Sequence, residues 1–200
     1  MAFDTTAGYQ GTIRREDGPQ TVKVRWPSDE EWAERSKGWR ILMHRLGRGL
    51  TETKVESEMT DLRLYNKIRE EDAPELTADE AVKIIETISR CDITDVKLDM
   101  DEAEVEMTVV GGQKVTHFLR ISTTAEVTQF RRAATRVMDL PHNVQQLKTN
   151  LSAGSSLWEK CHIRHENYVN GVPITHRDAA MRAVIDSCER AAESPADEDF

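Results

Sequence analysis

The stretch that decides the fold is Val96-Lys97-Leu98-Asp99-Met100-Asp101-Glu102-Ala103-Glu104-Val105-Glu106-Met107-Thr108-Val109-Val110-Gly111-Gly112-Gln113-Lys114-Val115-Thr116-His117-Phe118-Leu119-Arg120-Ile121. One set of residues recurs at every second position: Val96, Leu98 and Met100, then Val105, Met107 and Val109, then Val115, His117, Leu119 and Ile121. Period two is the repeat of a strand with one buried face. With turns at Asp101-Glu102 and Gly111-Gly112, the pattern predicts a three-stranded antiparallel meander. Between the apolar positions stand Asp99, Asp101, Glu102, Glu104 and Glu106. This run lacks the sixth-position glycine and the flanking helices of a calcium loop. It reads as the solvent face of two strands, where charge discourages edge-to-edge pairing.

Outward from the meander the period changes to that of helices. Upstream, Thr77 and Glu80 form a capping box, in which each side chain satisfies the other's backbone N–H, and Val82, Ile84, Ile85 and Ile88 follow. Downstream, Thr123 with Glu126 opens a helix through Val127, Phe130, Ala134 and Val137, and Pro141 stops it. Asn143–Leu151 is expected to be weakly helical, Trp158–His165 a strand, and Asn170-Gly171 a turn. Thr175 with Asp178 then opens the last helix, through Ala180, Val184, Ile185 and Cys188. Glu193–Phe200 is an acidic tail.

The N-terminal part begins with a polar arm or edge hairpin over residues 1–19. Val22, Val24 and Trp26 alternate as a strand that Pro27 ends, and Ser28 with Glu31 caps a first helix carrying Trp32, Trp39, Met43 and Leu46. Gly47 or Gly49 supplies its left-handed stop. A second helix runs over Glu56–Glu70 through Met59, Leu62, Tyr65 and Ile68. The expected class is therefore α+β: a short antiparallel meander packed by five or six helices, with an N-terminal strand–helix unit. A loose division puts residues 1–72 in that unit and 73–200 in the meander with its helices and tail, although a single domain fits as well.

Composition narrows the function classes. A formal charge of -9 makes the average field repulsive to DNA, RNA and anionic lipid. Cys91, Cys161 and Cys188 are odd in number and far apart, which fits a reducing compartment. No signal peptide is expected, because no apolar run follows a basic cluster at the start, and no stretch has the length of a membrane span.

The candidate sites are few. Cys161, His162 and His165 lie close together, but a zinc site needs a second ligand pair, and on a strand Cys161 and His162 would face opposite ways. Gly47-Arg48-Gly49 and Gly111-Gly112 lack the lysine and hydroxyl of a phosphate loop, and no serine sits in a nucleophile elbow. No cofactor and no enzymatic activity are expected. The sharpest charge feature is the first helix, where Arg35, Lys37, Arg40, Arg45 and Arg48, with His44, follow Glu34 without an intervening acid. This face serves either an acidic protein partner or simple solvation at the negative end of the helix dipole.

Val24-Arg25-Trp26-Pro27-Ser28-Asp29-Glu30-Glu31-Trp32-Ala33-Glu34-Arg35, closing at Leu46-Gly47-Arg48-Gly49, resembles a strand–helix opening found in tailed-bacteriophage and prophage proteins. Gly171-Val172-Pro173-Ile174-Thr175-His176-Arg177-Asp178-Ala179-Ala180 is similar to the closing segment of the same group. The resemblance implies a protein of the head or tail morphogenesis region, with other phage structural proteins as partners, acting in the host cytoplasm or in the virion. It carries over no functional residue. Two alternatives accompany it: a tail assembly chaperone, and a small DNA-associated regulator using the basic helix.

Overall fold

The computed structural model describes residues 2–36, 50–140 and 144–193, with the backbone alone for 50–58, 135–140 and 144–149. The chain opens with a short strand, β1 (Phe3–Asp4), and a hairpin of β2 (Tyr9–Arg15) and β3 (Gly18–Val24). Ser28 and Glu31 make their capping box, with amide-to-side-chain distances of 2.9 and 3.2 Å, at the start of α1, described over residues 29–36. The expected remainder of this helix, with Trp39, Met43, Leu46 and its glycine stop, lies outside the described residues.

Next come α2 (Leu50–Ile68) and α3 (Ala78–Ser89), the latter opened by the Thr77–Glu80 box. Val22, Val24, Trp32, Leu64, Tyr65, Ile68, Ala81, Ile84, Ile85 and Ile88 close around one another as a first apolar core. Arg15 ties the hairpin to α3: its guanidinium meets both carboxylate oxygens of Glu80 at 2.8 Å and the carbonyl of Glu75 at 2.6 Å. Residues 73–89 thus pack with the N-terminal unit, although the expected division at 72/73 grouped them with the meander.

The meander itself forms as β4 (Cys91–Asp99), β5 (Glu102–Val109) and β6 (Gln113–Arg120). A fourth strand, β9 (His162–Glu166), pairs with β6, giving the order β4-β5-β6-β9, antiparallel throughout. The fold is α+β, with six helices among the described residues. Ala103, Val105, Met107, Val109, Val115 and Leu119 line the inner sheet face and bury against α4 (Thr124–Ala134), α5 (Leu151–Cys161) and α6 (Ile174–Glu193) as a second core. None of the described helices is long and apolar enough to cross a membrane.

Four expectations are corrected. The helix expected to continue through Val137 ends at Ala134, and the weak helix expected at Asn143–Leu151 is absent. Thr135–Leu140 and Val144–Thr149 instead pair as an antiparallel hairpin, β7 and β8, with Thr135 opposite Thr149 and Leu140 opposite Val144. Ladder pairing satisfies the backbone of a segment too weakly amphipathic to hold a helix by packing. The expected strand Trp158–His165 is half helix: Asn150 caps α5 by accepting the Ser152 N–H at 3.1 Å, and Gly154–Trp158 and Leu157–Cys161 continue at helical spacing. Finally, Thr175 and Asp178 make no box. Thr175 Oγ1 has no hydrogen-bond partner among the described residues, and Asp178 is claimed by Arg182 at 2.8 Å. The first amide of α6, on Ile174, donates to Asp29 of α1 at 3.1 Å, so a distant carboxylate does the capping.

That contact helps hold the two cores together. Arg177 also pairs with Asp29, and β1 runs parallel to β10 (Tyr168–Val169), with Phe3 opposite Tyr168. Inside the second core, α5 approaches α6 so closely that a Cβ on Gly154 would sit 2.1 Å from Asp178 Oδ1. Any larger residue here would have to displace the Asp178 carboxylate.

Candidate functional site

Two places depart from ordinary core or surface. The first is a seam of rings between the cores. Phe3, Trp26 and His176 cluster with centroids 5.0–6.0 Å apart, Trp26 lies 6.3 Å from Trp32, and Tyr168 links His176 to His117. Trp26 and Trp32 thus pack together on either side of Pro27, while Trp39 lies outside the described residues.

The Trp158 indole sets the direction of the seam's hydrogen bonds. Indole nitrogen is a pure donor, so Trp158 Nε1–H donates to His117 Nδ1 at 3.3 Å, which places the His117 proton on Nε2. That Nε2–H donates to the Tyr168 hydroxyl at 2.9 Å, and the hydroxyl donates onward to His176 Nδ1 at 3.1 Å. The His176 proton is left on Nε2, which has no hydrogen-bond partner among the described residues. Both histidines are 0% exposed, and burial pushes each down to about 3. Burial likewise drives the Tyr168 phenol far upward. Three titratable side chains are therefore locked neutral. The seam joins the two cores.

The neighbouring Cys161, His162 and His165 separate in role. Cys161 ends α5, is 1% exposed, and lies 3.4 Å from the Ser122 hydroxyl. His162 stacks on Trp158 with centroids 4.0 Å apart, and its Nε2 lies 2.9 Å from His165 Nδ1. Among the described residues, no group of three or more His, Cys, Asp or Glu could hold a metal ion. Cys91 is no readier a nucleophile, since burial pushes its thiol up to about 12.

The second place is the free edge of the four-stranded sheet. β4 is 9 residues long, pairs with β5 on one side, and has no strand partner on the other among the described residues. Its register with β5 splits its side chains by face. Cys91, Ile93, Val96 and Leu98 lie opposite Val109, Met107, Val105 and Ala103 on the inner face; Asp92, Asp95, Lys97 and Asp99 lie opposite Thr108, Glu106, Glu104 and Glu102 on the outer one. A register shift at Thr94 keeps the alternation in step. The inner face is only partly covered: Ile93 is 39% and Leu98 37% exposed, above a groove of about 530 Å³ whose far wall is Ser187, Arg190 and Ala191 of α6. Met100, in the hairpin turn, is 93% exposed and holds a left-handed φ of 44°. Leu98 and Met100, expected to be half-buried, are thus open to solvent.

Of the basic helix face, Arg35 turns inward. Its Nε meets Asp61 Oδ1 at 2.6 Å, its side chain is 14% exposed, and its guanidinium lies over the Trp32 ring. Lys37, Arg40, Arg45 and Arg48 lie outside the described residues. The sequence reading recognised the acidic outer face of β4 and β5 but missed the half-covered inner face. No family model, no curated protein and no solved structure matches this chain.

Proposed function

We propose that this chain is a structural or accessory protein of a tailed-bacteriophage capsid or tail, acting through protein–protein contacts and making or breaking no bond. The open β4 edge carries the reading. An uncovered strand presents a row of unpaired N–H and C=O groups, which natural proteins normally cap, shorten or twist away. This one is long, contains no proline, and has apolar side chains exposed beside it. Such an edge suits docking onto a neighbour by strand addition. The resemblance of residues 24–35 and 171–180 to phage morphogenesis proteins supplies the setting, with other structural proteins of the particle as partners.

A tail assembly chaperone would use the same edge transiently and leave the particle. A DNA-associated regulator would rely on the basic helix, from which Arg35 is already withdrawn by Asp61. The deciding experiment is density-gradient sedimentation of particles assembled with the wild-type chain or with the Ile93→Lys/Leu98→Lys variant. Co-sedimentation of the wild type and its loss in the variant are the expected result. A chain absent from particles but bound to a soluble tail protein would favour the chaperone. Equal incorporation of the variant would remove the β4 edge from the reading.

A further inference from the structure

The two faces of β4 specify what can add to it. We propose that the edge accepts an extended segment of a partner protein in which apolar residues alternate with lysine or arginine. The inference rests on the reading of β4 as a docking edge and names the chemistry of its occupant.

An added strand continues the pleat, so its side chains fall alternately on the two faces of the sheet. Those on the inner side enter the groove between Ile93, Val96 and Leu98 and the α6 wall of Ser187 and Ala191, where small or branched apolar groups would complete the half-covered core. Those on the outer side come to lie beside Asp92, Asp95 and Asp99, with Glu102, Glu104 and Glu106 one strand further in. The cations nearest the edge are already committed: Lys97 Nζ lies 3.0 Å from Glu104, 3.4 Å from Glu106 and 3.8 Å from Asp95, and Arg90 pairs with Asp92 at 2.8 Å, while Lys114 and Arg120 stand on β6, two strands in. Across residues 91–106, seven carboxylates stand against the single Lys97. A second copy of this edge would bring seven more carboxylates alongside, and like charges facing across strands are unfavourable. A basic outer face is attracted by the same field, and a period-two apolar face fits the groove.

The test is fluorescence anisotropy of labelled synthetic peptides of 9 residues, the length of β4, added to the full chain. Three peptides are compared: one alternating valine with lysine, one alternating valine with glutamate, and a scramble of the first that keeps its charge but breaks the alternation. The valine–lysine peptide is expected to bind about tenfold or more tighter than either control, to weaken as salt is raised, and to slow amide exchange along Cys91–Asp99. Asp95→Lys/Asp99→Lys, at exposed positions, should abolish the preference for lysine while circular dichroism stays unchanged. Equal binding of the scramble would reduce the effect to bulk attraction and overturn the proposal. Equal or tighter binding of the glutamate peptide, absence of binding, or a concentration-dependent dimer protecting the same amides would overturn it too. Failure here is distinct from failure of the docking reading: particle incorporation lost through Ile93→Lys/Leu98→Lys, with no effect of the aspartate reversals, would keep the edge and discard the basic partner.

Discussion

The ring seam and the β4 edge are opposite solutions to one problem, the placing of polar groups beside apolar ones. In the seam, His117, Tyr168 and His176 are taken out of water and satisfy one another in a single direction, from the Trp158 indole inward. At the edge, a strand's worth of backbone and a row of aspartates have no strand partner among the described residues, above apolar side chains that are only partly covered. A buried network of this kind contributes stability and fixes how two cores meet. An open edge contributes little to the isolated chain and remains available to a neighbour. Substitutions in the two regions should therefore separate stability from assembly.

The largest expected effect is on the seam and needs no mutation. His117 and His176 bind no proton when folded until about pH 3, whereas in the unfolded chain they titrate near 6.5. The unfolded state thus takes up more protons below pH 6.5, and stability falls as pH is lowered. From pH 8 to pH 5 the two histidines together should cost about 4 kcal/mol by linkage, read from urea midpoints. Glu80 and Glu126, held down to about 2 by Arg15 and Arg120, also favour the fold only while ionised, but their loss falls between pH 4.5 and 2. The higher window separates histidines from carboxylates; His162, lowered by burial and by His165, adds to it with the same sign. A stability flat from pH 8 to 5 would mean that the seam admits protons.

Next comes Tyr168→Phe, which removes the hydroxyl bridging the two imidazoles and leaves His117 Nε2 and His176 Nδ1 unpaired. A loss of about 2–4 kcal/mol is expected, with particle incorporation preserved wherever the fold persists. Gly154→Ala should cost about 1–3 kcal/mol in chemical unfolding by overpacking the α5–α6 crossing against Asp178. Removal of the Thr77 cap, Thr77→Ala, should cost about 1 kcal/mol. Smallest in stability is Met100→Gly, expected to change it by less than about 1 kcal/mol, because relief of the left-handed backbone is offset by added freedom in the unfolded chain. If Met100→Gly lost more than Tyr168→Phe, the contrast between sealed and open regions would be reversed.

The parts of the fold legible in the sequence are those specified by neighbours along the chain. Capping boxes at Ser28, Thr77 and Thr123 form as their spacing requires, because a serine or threonine and a glutamate three residues on need only each other. The meander's alternation predicts β5 and β6 and the solvent face of their acids. Where the pattern was weak, at residues 135–149, long-range pairing decided, and the helix expected there gave way to a hairpin. Thr175 and Asp178 had the spacing of a cap but lost it to Asp29 and Arg182, partners that only packing could bring near.

Sequence alone determined that this chain would be an acidic α+β protein with a central antiparallel meander, since hydrophobic period and helix capping are local properties. It also marked the aspartates and glutamates of residues 99–106 as a solvent face. Tertiary structure decided the rest: which meander strand lies at the edge, that α6 forms the far wall of the groove beside it, and that two histidines far apart in sequence share one tyrosine. These depend on how elements stack, and stacking is set by the fit of faces distant along the chain.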